Sequence, residues 1–264
     1  MHFHRSRPAR LLASAALALV ATGCASLQSI DTTGSVPAAP RSEVESRRDV
    51  QALAERYRGN PGDPNAAIQY AQSLRATGQR AQAVAVLEQA AIQNPQHTPL
   101  LGAYGRALAD IGQYAQALEV LKRAHTPDQP DWRILSVQGA VLDQLGRHEE
   151  ARQHYAAALK IEPEEPSVLS NLGLSYALAK DLPNAESTLR RASARAGNDR
   201  RVRQNLALVV GLQGRFTEAE GIARADLPAE EAAENVAYLR QMLAQQEDLK
   251  KAGRPVRTRA AGKS

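Results

Sequence analysis

The residue best suited to chemistry is the only cysteine, Cys24, and behind it come a few groups that could move a proton. A lone thiol can build neither an internal disulfide framework nor a cysteine-rich zinc or iron-sulfur site, so those chemistries are excluded. His148 and His154 are six residues apart and do not share one helix face cleanly, so they read as two solvated surface histidines. The acidic pairs Glu149-Glu150, Glu164-Glu165 and Glu230-Glu231 read as solvated helix faces and first-turn charges favourable to the helix dipole. A nucleophile needs a base within hydrogen-bond reach and a pocket that excludes water, whereas the serines are scattered over helix surfaces and caps. No glycine-rich phosphate loop is visible. Catalysis therefore has no support, and no metal or cofactor is expected.

What Cys24 does is set by what precedes it. Arg5, Arg7 and Arg10 stand without an acid, residues 11–20 are apolar, and Ala21, Thr22 and Gly23 are small. That order predicts an export signal over residues 1–23. The apolar run is about half of the roughly 20 residues that span a bilayer, which argues against a permanent transmembrane helix. The tetrad Ala21-Thr22-Gly23-Cys24 resembles the bacterial lipobox, although Ala21 stands where leucine is usual and Val20 lies one place earlier. The resemblance implies cleavage before Cys24 and acylation of its thiol and amino group, and Ala25-Ser26 after it imply the outer membrane, on its periplasmic face. The alternative is ordinary secretion with Cys24 a stray thiol, which would leave an exported protein with one unpaired cysteine. Each buried acyl methylene adds about 0.8 kcal/mol of membrane affinity, so several chains hold a protein stably. Removing residues 1–23 takes away three arginines and no acid, and the formal charge falls from +5 to +2. Nucleic acid is thus not an expected partner. Residues 24–42, rich in Ser, Thr, Pro and Gly, read as a lipidated flexible tether with a reach of about 20 to 25 Å.

The elements behind Cys24 follow from composition and period. Hydrophobic residues make up 43% and charged residues 23%, enough for a packed core. Only ten residues are aromatic, and the valine, isoleucine and aromatic runs of sheet proteins are missing, which leaves helices of Ala, Leu, Gln, Glu and Arg. Gly78, Gly112, Gly146 and Gly214 fall on a period of 34, with Lys180 where the missing glycine would stand. Ala83, Ala117, Ala151, Ala185 and Ala219 follow in the same register, and a second alanine column holds Ala90, Ala124, Ala158 and Ala192. Small residues recur twelve places before the first column, at Ala71, Gly105, Gly139, Gly173 and Ala207. The pattern resembles the tetratricopeptide repeat (TPR) over roughly two thirds of the chain.

The columns have physical reasons. Within residues 64–97, Ala67, Tyr70, Ala71 and Leu74 form the stripe of a first helix, and Ala83, Leu87 and Ala90 that of a second. Antiparallel helices cross closely where side chains are small, so Ala71 is expected opposite Ala83 and Gly105 opposite Ala117. Asp63-Pro64, Thr98-Pro99, Asp131-Trp132 and Asp199-Arg200 are N-cap signals, and Pro61, Pro95 and Pro163 end second helices. The expected fold is an all-α superhelix, an α-solenoid of antiparallel helix pairs: a half repeat over 43–62 whose lone helix spans 47–60, five repeats over 63–228, and a C-terminal capping helix over 229–248. That cap carries Ala232, Val236, Leu239 and Leu243 on one face. Asp226, where the second alanine column would continue, and Pro228 mark the end of the regular stack. The basic tail 249–264 has no acid and reads as a disordered segment, either solubilising or touching anionic envelope components.

In such a stack the first helices line an inner groove, and repeat positions 2, 5, 6, 9, 12 and 13 should point into it. The first three repeats place Gln69, Gln72, Arg75, Arg106, Asp110, Arg133 and Asp143 there, a polar surface of mixed sign. The last two place Asn171, Leu174, Leu178, Asn205, Leu208 and Leu212, so four leucines fall where water-compatible side chains are usual. An apolar groove with a pair of amides invites a partner segment, and the asparagines are similar to the ladder by which some TPR grooves hold a peptide backbone. The alternative is that the capping helix or another subunit covers the leucines. The two-lysine carboxylate clamp of chaperone-binding repeats does not fit, because Ala103 and Val137 stand at key places.

The stretches ILSVQGAVLDQLGRHEEAR (134–152), EPSVLSNLGLSYALAKDLPNAE (165–186) and RQNLALVVGLQGRFTEAE (203–220), set behind a lipobox and tether, resemble the TadD-type TPR lipoproteins of tight-adherence (Tad, Flp-type) pilus assembly. The resemblance implies a pilotin-like outer-membrane accessory, not an enzyme, that helps the secretin reach its membrane, with the groove as receptor for the secretin or another assembly component. The competing expectation is a general periplasmic adaptor for peptidoglycan enzymes or outer-membrane protein assembly.

Overall fold

A computed structural model of the protein describes residues 43–126 and 128–252. The expected signal, Cys24 and the tether lie outside the described residues, as does the basic segment beyond 252.

The described residues form helices joined by short turns, with no strand among them and one isolated bridge between Thr126 and Gln129. Helix α1 (Glu43–Gly59) precedes five antiparallel pairs. These are α2 (Pro64–Ala76) with α3 (Arg80–Gln93), α4 (Thr98–Asp110) with α5 (Tyr114–Lys122), and α6 (Trp132–Gln144) with α7 (His148–Ile161). Then come α8 (Pro166–Leu178) with α9 (Leu182–Arg195), and α10 (Arg200–Leu212) with α11 (Phe216–Ala223), before α12 (Ala229–Ala252). The all-α solenoid of helix pairs is the fold expected from the 34-residue period. Helix α1 starts four residues before the expected Arg47, and α12 runs four beyond residue 248, so the start of the supposed tail is helical.

The starts are chemical. Asp63, Asp131 and Asp199 each accept a hydrogen bond from the backbone N–H two residues on, at 2.9, 2.7 and 2.9 Å. The expected Thr98 cap is displaced by one residue: Thr98 is already helical, and His97 Nδ1 accepts from the Leu100 N–H at 3.2 Å. The stops use left-handed backbone. Gly78, Gly112, Gly146 and Gly214 have φ of 79°, 79°, 74° and 81°, and Lys180 adopts 65° in their place. The Lys180 and Asp181 N–H groups still cap the carbonyls of Ala177 and Tyr176, at 2.9 Å each, so the cap forms without the glycine.

The small-residue column marks where helices of a pair nearly touch. A Cβ on Gly105 would lie 2.4 Å from Leu121 Cγ, one on Gly139 2.6 Å from the Tyr155 ring, and one on Gly173 2.6 Å from Leu189 Cγ. The tight neighbour of Gly105 is thus Leu121 and not the expected Ala117, whose carbonyl oxygen stands farther off at 3.4 Å. Leu74, Leu87, Leu108, Leu121 and Leu189 have no accessible surface, each contributing about 2 kcal/mol through burial. Helices α5 and α11 are short, with 9 and 8 residues against 14 in α3, α7 and α9. Past α11, Asp226 turns away from the alanine column to pair with Arg203, by Nε at 2.8 Å and Nη2 at 2.5 Å, and Arg200 Nη2 donates to its carbonyl. That fork holds the Asp226 carboxyl below the usual range.

The backbones of the first helices approach one another along the row from α2 to α10, whereas second helices stand farther apart and, at α9 and α11, meet through the Arg190–Glu218 ion pair. A stack whose backbones pack more closely along one edge curves toward it, so the first-helix face is the inner one. Helix α12 packs on α10 and α11, with Leu239 Cδ2 placed 2.5 Å from where a Gly211 Cβ would be.

Candidate binding face

The four leucines sit at equivalent places of the last two pairs, Leu174 and Leu178 on α8 and Leu208 and Leu212 on α10. Leu178 and Leu208 are each 37% exposed, and Leu174 and Leu212 are half-buried. Helix α12 packs on α10, next to Leu212 at Gly211, but makes no contact with α8, and Leu178 and Leu208 keep accessible surface.

The asparagines are not free hands. Asn171 Nδ2 donates to Ser136 Oγ at 3.2 Å, and Asn205 Nδ2 donates to Ser170 Oγ at 3.0 Å. Each therefore ties its own first helix to the preceding one, and only the remaining amide groups are left for a ligand. Arg75 and Asp110 likewise close on each other, Nε to Oδ2 at 2.5 Å, and Arg56 donates to Gln69 at 3.0 Å. The mixed-sign surface is to that extent a set of internal pairs.

Asp143 is the clearest departure from the sequence-based reading, which put it in the groove. It is buried, and its carboxylate gathers three helices: Oδ1 lies 2.8 Å from His148 Nδ1 and accepts from Ser175 Oγ at 2.8 Å, while Oδ2 accepts from Tyr155 Oη at 3.0 Å. Burial first, and then the adjacent Asp143, push the Tyr155 phenol well above its usual range. A serine, a histidine and an aspartate meet here in the wrong order for nucleophilic attack, because the carboxylate stands between hydroxyl and imidazole. The cluster is a clasp joining α6, α7 and α8. His148 is consequently no solvated histidine. Nor is His154, whose Nδ1 is sealed from solvent without a partner and whose imidazole burial, followed by nearby His125, holds below the ordinary range.

Arg133 and Arg106, the two expected basic groove residues, differ. Arg133 is exposed and its guanidinium lies 4.4 Å over the Trp132 ring, a cation–π pair. Arg106 is largely buried, and its Nη1 has no hydrogen-bond partner. Burial first, then repulsion from Arg75, weaken its hold on the proton, while Asp131 and Asp110 strengthen it. On the outer side Glu186 accepts from Arg215, Gln213 and Arg190 at 2.7 to 2.9 Å, and Glu218 bonds both of those arginines. These bonds, Arg215's first, lower the Glu186 carboxyl to about 2.

Comparison with known proteins came to the same architecture. Residues 48–124 match the family described as anaphase-promoting complex, cyclosome, subunit 3, and residues 139–179 match the family described as TPR repeat. No curated protein sequence matches the chain. Among solved structures, PilW, described as a widely conserved type IV pilus biogenesis factor, has a TM-score of 0.65 at 16% identity, covering 74% of this chain and 91% of that one. The APC/C hetero-tetramer Cut9-Hcn1 gives 0.58 at 20% identity over 73% of this chain, which spans only 40% of the matched one. MamA from Desulfovibrio magneticus RS-1 gives 0.50 at 23% identity over 58% and 88% of the two chains. Likeness at these identities is likeness of fold, here that of TPR helix pairs, whose families are typically non-catalytic interaction modules.

Proposed function

We propose that this chain is a lipid-anchored TPR receptor for another polypeptide, working at the periplasmic face of the outer membrane as a pilotin-like accessory of Tad/Flp pilus assembly and secretin biogenesis. The observation that carries the binding part is the apolar strip: Leu178 and Leu208, each 37% exposed, lie on adjacent first helices and no described helix covers them. Exposed leucines aligned across a rigid inner face fit an apolar segment of a partner better than they fit water. The anchoring part is supported by the lipobox-like tetrad at Cys24, and the pilus part by the likeness of residues 134–152, 165–186 and 203–220 to TadD-type lipoproteins. PilW, a pilus biogenesis factor of the same fold, is consistent with it.

Three measurements test the reading. Labelled palmitate should enter the protein and be lost in Cys24→Ser; an unlabelled wild type removes the anchor. The double change Leu174→Asp with Leu208→Asp should release the secretin from the purified complex with the helical circular dichroism unchanged. Loss of the helical signal would mean that the strip belongs to the core. In cells, deletion of the gene should abolish Flp-type pili and leave cell shape normal, whereas misshapen cells with normal pili would point to a peptidoglycan adaptor.

A further inference from the structure

The charges on the inner face of α2, α4 and α6 have partners of different kinds, except for Arg106. Arg75 holds Asp110, and Asp131 Oδ1 accepts the Arg133 backbone N–H at 2.7 Å while the Arg133 guanidinium lies on Trp132. Arg106 stands among these groups and makes neither a hydrogen bond nor an ion pair within the described residues. Its Nη1 is sealed from solvent, while the residue as a whole keeps partial exposure, so water reaches only part of the guanidinium. The side chain lies along α4 over Gly102, where a Cβ would stand 3.5 Å from Nη2 and 2.6 Å from Ile134 Cδ1. The glycine at 102 makes room for Ile134 of α6, and the guanidinium lies beside it at ordinary contact distance. Asp110, the nearest paired acid on α4, is already taken by Arg75, and Arg133 lies on Trp132, so no ion pair in this patch reaches Arg106.

A desolvated guanidinium without an acceptor is unfavourable unless an anion completes it, and its planar fork suits a carboxylate. We infer that Arg106 is the counter-ion for a carboxylate of the bound polypeptide, so that the partner segment is acidic where it crosses α4 and apolar where it crosses α8 and α10. The site is a lone arginine fork and differs from a two-lysine clamp, whose places hold Ala103 and Val137. The inference rests on the reading of the inner face as a receptor and adds the chemistry of its ligand.

The test uses the full chain and a short fluorescein-labelled peptide with Glu at one end and Leu at the other, its Glu→Gln twin, and carboxyl-amidated versions of both. Hydrogen bonds to a charged group predict that the Glu peptide binds about tenfold tighter than the Gln twin. The gap should close in Arg106→Met, survive in part in Arg106→Lys, and shrink with added salt. Arg106→Met should melt no lower than wild type, since it removes an unpartnered buried cation. No gap between the two peptides, whether both bind alike or neither binds, overturns the inference, as does a gap untouched by Arg106→Met or a melting point clearly below wild type. A gap that survives amidation of both peptides assigns the carboxylate to the Glu side chain; inorganic phosphate displacing the peptide better than acetate overturns the carboxylate assignment. If Leu174→Asp with Leu208→Asp releases the secretin while no Glu/Gln gap exists, the receptor reading stands and this one falls.

Discussion

Asn205 and Ser170 are bonded side chain to side chain, Nδ2 to Oγ at 3.0 Å, across thirty-five residues. Asn171 and Ser136 repeat the bond at the same offset, and so does the Arg75–Asp110 pair. A repeat of 34 residues therefore makes contact at 35, because the touching positions on adjacent first helices are staggered by one. Asn205→Ala and Ser170→Ala should each lower stability by about 1 kcal/mol, and the double variant should lose little more than either alone. Urea unfolding of the four proteins reads this directly; simple additivity would show that the bond contributes nothing.

Lys180 occupies a left-handed turn at φ 65° that four glycines occupy elsewhere in the stack. Lys180→Gly should stabilise the protein by about 1 kcal/mol, since the steric penalty of a Cβ there outweighs the extra freedom of the unfolded chain. Gly146→Ala, at φ 74°, should do the reverse. Equal denaturation midpoints for Lys180→Gly and wild type would show that the turn is relaxed around lysine.

Asp143 satisfies two buried hydroxyls and an imidazole at once. Asp143→Ala orphans them and should lower stability by about 3 kcal/mol or more, with Tyr155→Phe nearer 1 kcal/mol. The difference should appear in denaturant midpoints, and near-equal effects of the two changes would mean that water replaces the carboxylate readily.

Glu186 supplies a pH signature. Its folded-state carboxyl titrates near 2, below the ordinary value of 4.5, because Arg215, Gln213 and Arg190 bond its charged form. A depressed carboxylate contributes stability that is fully present above pH 4.5 and is lost as pH falls toward 2. Glu186→Gln should flatten the acid limb of stability within that window, whereas at pH 7 it should lower stability outright. An unchanged acid limb would show that the arginines serve Glu218 alone.

Much of this was legible beforehand, because a repeat writes its packing into the sequence as columns. The 34-residue spacing of Gly78, Gly112, Gly146 and Gly214, and even Lys180 as a stand-in, located every intra-pair turn. Asp226 marked the end of regularity because an acid cannot sit in a buried alanine column without a partner, and Arg203 supplies one. Side-chain commitments were not legible. Asp143 falls at a position that points inward to the groove in a generic repeat, and only its nearness to Tyr155 and Ser175, on two other helices, draws it into the core. The Asn171–Ser136, Asn205–Ser170 and Arg75–Asp110 bonds were not legible for the same reason: a period compares equivalent positions, whereas contacts join positions one residue out of step. A search for complementary polar types at an offset of 35 would have found all three bonds.

Because adjacent repeats are stitched along α2 to α10 while the backbones of α3, α5, α7, α9 and α11 stand apart, α9 and α11 joined by surface ion pairs, the described body has one tight edge and one loose edge, like a folding fan held at its rivet. Its pitch can open or tighten by spreading the loose edge without breaking any of the stitches. A label pair on α3 and α9 should therefore report a broad spread of separations in which a pair on α2 and α8 stays narrow. Cargo of varying girth could be gripped by that change of pitch alone.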